Sequence, residues 1–216
     1  MLEAKGIFKK YGNLAVLQDV SLKVNQGEVV SIVGASGAGK STLLHILGTL
    51  DSPDQGRVFI EGTEVSALSR NKLAAFRNEK IGFVFQFHNL LPEFTAFENV
   101  CMPGLISGID TTMVHQKADE LFHLLNLSKR KTHKPSEMSG GEQQRTAVAR
   151  ALVNSPSIIF ADEPSGNLDS KNANELHRLF FKLREELSYT FVIVTHNEEF
   201  AEMADRKLTM LDGQII

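Results

Sequence analysis

Apolar positions along this chain fall into two rhythms. Unbroken apolar runs of strand length recur as VVSIV (29–33), IGFVF (81–85), SIIFA (157–161) and TFVIV (190–194). Continuous rather than alternating apolar character predicts strands covered on both faces, and therefore a parallel sheet flanked by helices. The second rhythm is helical. Residues 171–187 place Leu176, Leu179, Phe180 and Leu183 on one stripe. Residues 112–125 place Met113, Ala118, Leu121, Phe122 and Leu125 at the same spacing, which predicts that these five are core.

The early part of the chain reads differently. GIF, VLQDVSLKV and RVFIEG have the look of shorter strands joined by turns such as SPDQG, so an antiparallel sheet is expected to lean on the parallel one. Between about residues 87 and 154 strand patterns vanish, and a helical lobe inserted into an α/β domain accounts for the gap. The expectation is a single domain over residues 1–216. Its catalytic core and β subdomain would occupy about 1–86 and 155–216, and its helical subdomain about 87–154. A chain of 216 residues can bury a full core.

Composition mainly excludes. With 42% hydrophobic and 23% charged residues, disorder and low complexity are ruled out. A formal net charge of −3 argues against a general nucleic-acid surface, so no nucleic-acid partner is expected. The one dense basic run, SKRKTHK (128–134), reads as a solvated loop. Cys101, the single cysteine, can form no intrachain disulfide, and no Cys/His cluster has zinc spacing. The start, MLEAKGIFKKYG, lacks the apolar core of a signal peptide, and no run approaches the ~18 apolar residues of a membrane span. The expected setting is reducing and cytoplasmic.

Candidate chemistry sharpens the picture. GASGAGKS (34–41) follows the first apolar run and opens onto the helical STLLHILGTL, the context in which G-x-x-x-x-G-K-[ST] cradles phosphates. Gly34, Gly37 and Gly39 let the backbone curl around an anion, with Ala35, Ser36, Ala38 and Thr42 completing the loop and helix start. Lys40 can reach β- and γ-phosphates, and the Ser41 hydroxyl can ligate Mg²⁺, so ATP and Mg²⁺ are the expected cofactors. SIIFADEP ends a buried run in two carboxylates, read as a Walker B pair: Asp162 for Mg²⁺ and Glu163 to polarise the attacking water. TFVIVTH likewise ends in His196, which can hydrogen-bond the γ-phosphate. A second anion-friendly loop appears far downstream in MSGGEQQR (138–145), where Ser139, Gly140, Gly141 and Glu142 present backbone N–H groups at a helix start.

Taken together and in this order, these segments resemble the ATP-binding subunits of ABC transporters, from about Glu3 to Ile216. The resemblance implies a P-loop NTPase core, with Gln86 as the Q-loop glutamine near the metal and SGNLD (165–169, ending in Asp169) as the D-loop. It makes His196 the switch histidine and gives Tyr11 the place of the aromatic that stacks on adenine. It also accounts for the second loop. Family members pair head to tail, so Ser139 and Gly141 of one copy would cap the γ-phosphate on the P-loop of the other, as an arginine finger supplied in trans completes a GTPase.

Other P-loop proteins fit less well. A GTPase would need N-K-x-D, and NKLA (71–74) lacks the Asp. DNA-repair ATPases share the S-G-G signature but separate it from the P-loop by long heptad arms, which are missing here; a DNA-acting ATPase is kept as the remote alternative. ABC-class translation factors usually carry two cassettes in one chain. Within the transporters, FHNLLPEFTAFENVCMP (87–103) resembles the ATPases of lipoprotein-releasing systems; a macrolide-exporter-like or cell-division complex, whose ATPases share SGNLD, is the alternative. The expected partners are therefore a second copy of this chain and two integral membrane permease subunits, on the cytoplasmic face of an inner membrane. Phe87, Leu90, Leu91, Phe94 and Phe97 are expected mostly to fill the helical lobe's own core, with some lining a groove for a short permease helix.

Overall fold

The four apolar runs are neighbours in one six-stranded sheet. A computed structural model describes residues 1–216. In chain order its first half contains β1 (Leu2–Tyr11), β2 (Leu14–Val24), β3 (Val29–Val33), α1 (Lys40–Leu47), β4 (Gln55–Ile60), β5 (Thr63–Glu64), α2 (Arg70–Lys80) and β6 (Ile81–Phe85). Then follow α3 (Ala96–Ile106), α4 (Thr111–Leu124), α5 (Gly140–Leu152), β7 (Ile158–Asp162), α6 (Ser170–Leu187), β8 (Thr190–Val194), α7 (Glu198–Glu202), β9 (Arg206–Leu211) and β10 (Gln214–Ile215). The large sheet has the order β10-β9-β3-β8-β7-β6, parallel except for β10. A smaller antiparallel sheet, β2-β1-β4-β5, lies against it. The fold is α/β, with a P-loop core and an antiparallel N-terminal sheet, as the apolar runs, the turn signals and the family resemblance lead one to expect.

The period of two in a strand sends alternate residues into opposite cores. From β7, Ile158 and Phe160 join the antiparallel sheet's Leu2, Ile7, Leu17 and Val58 and α1's Leu43 and Leu44. Ile159 and Ala161 point the other way, into a core built with Phe180 and Leu183 of α6 and Val100, Phe122 and Leu152 of the helical segments. Val192 and Val194 against Phe191 and Ile193 repeat the split in β8. Burial on both faces is what an unbroken apolar run encodes.

Several expectations are corrected. Met113 is 65% exposed and Val114 takes the buried position, because Asp110 caps α4 and its first turn turns Met113 outward. The apolar residues after Gln86 do not fill the lobe: Phe87, Leu91 and Phe94 are exposed, Leu90 and Phe97 are half-buried, and only Phe97 packs on the core. A polar residue sets that shape. The buried Asn99 side chain bonds the backbone of Leu91, Phe94 and Thr95, pinning the loop with its aromatic residues outward. The basic run is not simply solvated either: Arg130 pairs with Glu142 at 2.7 Å, and Lys131 with Asp119 at 2.6 Å. Strand β9 has no apolar run to announce it. It opens on Arg206 and Lys207; β3 pairs with its residues 206–209, and β10 with Met210 and Leu211.

Candidate nucleotide site

The C-terminal edge of the parallel strands carries the candidate chemistry in spatial order. The loop after β3 leads into α1, His196 follows β8, Asp162 and Glu163 end β7, and Gln86 follows β6. Side chains on loops leaving this edge converge because parallel strands all end on the same side.

The loop at 34–41 can exist only with glycine at two points. Gly34 has φ +150°, and a Cβ there would lie 2.2 Å from the Met210 carbonyl oxygen. Gly39, at φ +100°, would put a Cβ 2.8 Å from the Val16 carbonyl oxygen, and as the N-cap of α1 it offers no side chain to the first-turn N–H groups. Those donors and the helix dipole are left to an anion. Lys40 Nζ donates to the carbonyls of Gly34 and Ala35, each at 2.9 Å, so its ammonium lies over the loop it would share with a phosphate chain. A hollow of about 530 Å³ opens there, lined by Tyr11, Val16, Gly34, Ser36, Gly37, Gly39, Lys40, Ser41, Thr42, Glu163 and His196. Ala35 belongs to the same loop, and Ala38 is buried beneath it. A triphosphate fits the exposed N–H groups and ammonium, and Mg²⁺ fits the hard oxygen donors beside them. Ser41 Oγ donates to Asp162 Oδ1 at 3.1 Å, so two of the expected metal ligands already converge.

Glu163 sits in the left-handed region at φ +46°, its N–H held by the Val194 carbonyl at 2.9 Å. The conformation is uncommon for a non-glycine residue, and eight others in this chain share it. The turn aims the carboxylate at His196, whose Nδ1 lies 2.7 Å and whose backbone N–H lies 3.2 Å from Glu163 Oε2. Tyr11 is half-exposed at the rim, its hydroxyl donating to Asp51 at 2.6 Å.

Other predicted residues do not line that hollow in the single chain. Gln86 exchanges bonds with Asn167: its Nε2 donates to Asn167 Oδ1 at 3.1 Å, and Asn167 Nδ2 donates to the Gln86 carbonyl at 3.3 Å. Asp169 caps α6, accepting from the N–H of Asn172 at 3.0 Å. Ser139 caps α5 in a reciprocal box with Glu142, whose carboxylate is bound to Arg130 and to the Ser139 N–H. Those contacts, the Arg130 guanidinium foremost, hold the Glu142 carboxyl below its usual range. Gly140 and Gly141 begin α5, and a Cβ on Gly141 would meet Asn172 Oδ1 at 2.3 Å. None of Ser139, Gly140, Gly141 or Glu142 lines the hollow over the P-loop.

The family model for ABC transporters matches residues 17–166, a span that holds the P-loop, the 138–145 loop and the paired carboxylates. The chain belongs to the ABC transporter family. It is an ATPase of that family, and its relatives extend the match to the whole chain. It is 60% identical to the lipoprotein-releasing system ATP-binding protein LolD of Cytophaga hutchinsonii, over 100% of this chain and 99% of that one. With LolD of Bacteroides fragilis the identity is 57%, over the whole of both. Among solved structures, the ATP-binding cassette MJ0796 in a dimeric post-hydrolysis state bound to ADP and Pi superposes with a TM-score of 0.90. It shares 40% identity, covering 100% of this chain and 96% of that one.

For an ABC ATPase the two separated anion loops make sense, since cassettes of this family dimerise. Sequence reasoning did not find Asn167, Asp51 or Arg130 as partners of site residues. Asn167 stands in the quoted SGNLD, but its partner Gln86 lies 81 residues away. No periodicity or motif spacing encodes such a pairing. Arg150 and Gln144 of α5 were missed likewise; they bind the carbonyls of His88, Asn89 and Phe85, tying the helix of the second loop to the stretch around Gln86.

Proposed function

We propose that this ABC ATPase drives release of lipoproteins from an inner membrane, acting as a homodimer beneath two integral membrane permease subunits on the cytoplasmic face. The observation that carries the reading is full-length identity to lipoprotein-releasing ATPases. Gly34 to Thr42 would hold the ATP phosphates, Tyr11 would stack on the adenine, and Ser41, Asp162 and Gln86 would hold Mg²⁺. Bound there, the metal would supply positive charge against the charge that develops on the transferring phosphate. Glu163 would orient and deprotonate the attacking water, with His196 holding its carboxylate and facing the γ-phosphate. Ser139, Gly140, Gly141, Glu142 and Asp169 would act at the dimer interface, the signature loop closing over the partner's nucleotide. The core (1–86, 155–216) and helical subdomain (87–154) would move as two parts of that closure.

No helix is long and apolar enough to cross a membrane, so force must be passed to another protein. A groove of about 410 Å³ lies between α2, β6, α3 and α5, lined among others by Ala74, Ile81, Phe83, Pro103 and Ile106. An adjoining hollow of about 520 Å³ adds Ala75 and Ile109. Its apolar floor, next to the segment that Arg150 ties to Gln86, suits a short permease helix. Ile106 is 72% exposed, so Ile106→Asp leaves the fold intact. The variant is expected to lose co-purification with the membrane subunits while the isolated protein keeps its basal hydrolysis. Depletion of the protein should strand lipoproteins in the inner membrane. Unchanged lipoprotein sorting on depletion would overturn the cargo; unchanged co-purification of Ile106→Asp would overturn the docking site.

A further inference from the structure

Behind the Glu163–His196 pair lies a buried histidine that no motif claims. His177, in the middle of α6, is 3% exposed. Its Nε2 lies 2.9 Å from the Ser165 hydroxyl, two residues after Glu163. Its ring lies flat on Phe200, four residues after His196, with centroids 3.7 Å apart and an interplanar angle of 6°. Phe200 is anchored in turn: its N–H donates to Asn197 Oδ1 at 2.8 Å, and its ring packs against Phe180 and Phe181. One side chain therefore touches both segments that carry the hydrolytic pair, through an edge hydrogen bond to one and a ring face to the other.

We propose that His177 is a positioning residue for ATP hydrolysis, a strut that sets Glu163 and His196 in register by holding Ser165 and Phe200 from behind. An aliphatic side chain would fill the space but could supply neither contact. Phenylalanine would supply only the stack. Burial pushes the imidazole down to about 4, so at neutral pH it is an uncharged ring free to form one directed bond in an apolar site. Misplacement of a catalytic group by a fraction of an ångström is costly to turnover while leaving phosphate binding on the P-loop intact.

The proposal rests on the assignment of Glu163 and His196 as the hydrolytic pair, so Glu163→Gln is measured alongside. The test compares His177→Phe, Ser165→Ala and the double variant, each assayed for kcat, for equilibrium ATP affinity with a fluorescent nucleotide, and for thermal midpoint. Loss of the bond from either side should lower kcat by about tenfold with ATP affinity held within about twofold, and the double variant should lose no more than either single one. His177→Gln, which returns a polar group near Nε2, should recover part of the loss relative to His177→Phe. Undiminished kcat in His177→Phe, or losses that multiply in the double variant, would overturn the strut. Retained turnover in Glu163→Gln would instead overturn the assignment beneath it. If His177→Phe does not fold, Ser165→Ala, on a half-buried loop outside the core, carries the same test alone.

Discussion

Glu163 and His196 form a single hydrogen-bonded unit, Oε2 to Nδ1 at 2.7 Å, with the His196 backbone N–H on the same oxygen at 3.2 Å. Nδ1 is thereby occupied, leaving Nε2 as the nitrogen free to meet a ligand. A carboxylate held this way by an imidazole and a backbone N–H has the geometry to orient a water molecule, as the proposed role of Glu163 requires. Glu163→Gln is expected to lower hydrolysis by ~10²–10⁴ while ATP still binds. Phosphate release and nucleotide-binding titrations check the two halves, and turnover within a few-fold of the parent sinks the assignment.

The loop at Ser139 caps its own helix but lines no part of the P-loop hollow of its own chain. Lys40→Ala and Ser139→Arg chains should each be inactive alone, and an equal mixture should recover part of the activity. A mixed dimer pairs an intact P-loop with an intact signature once. Full activity of either variant in dilute monomer would contradict action in trans.

Gly34→Ala would drive a Cβ to 2.2 Å from the Met210 backbone carbonyl, at a φ of +150°. Backbone on both sides leaves no flexible group to yield, and strain of this kind costs about 1–3 kcal/mol or more. The expected result is lost nucleotide binding with a lowered thermal midpoint, read by calorimetry. Normal ATP affinity would show that the loop relaxes freely.

His177 gives stability a pH dependence of known sign. Its folded value is pushed by burial from 6.5 to about 4, so between those limits the unfolded chain binds the extra proton. Stability from this group is complete above pH 6.5 and is lost as pH falls toward 4, by up to about 3 kcal/mol. Urea denaturation across that window should show the slope, and His177→Phe should flatten it. Equal slopes in both proteins would refute the assignment.

Burial also pushes the Cys101 thiol up to about 11. Its thiolate is therefore scarce at neutral pH, and the side chain is 2% exposed. Alkylation by a thiol reagent should follow unfolding rather than the concentration of reagent, measured by mass spectrometry with and without denaturant.

By itself the sequence determined the parallel sheet and the ATPase family. VVSIV, IGFVF, SIIFA and TFVIV declare doubly buried strands because burial on both faces is a local demand on each residue. The P-loop is legible for a related reason: its glycines, Lys40 and Ser41 lie in one continuous stretch, residues 34–41. Tertiary structure decided what long-range closure alone can decide. Asn99 turned Phe87, Leu91 and Phe94 outward, Arg130 paired with Glu142, and Gln86 met Asn167. Strand β9, which opens on two charged residues, took its place through pairing with β3. Hydrophobic period is a property of neighbours along the chain, and hydrogen-bond partnership is a property of neighbours in space. The pairs around the nucleotide site join residues from different strand ends, so only the folded sheet brings them within 3 Å or so of one another.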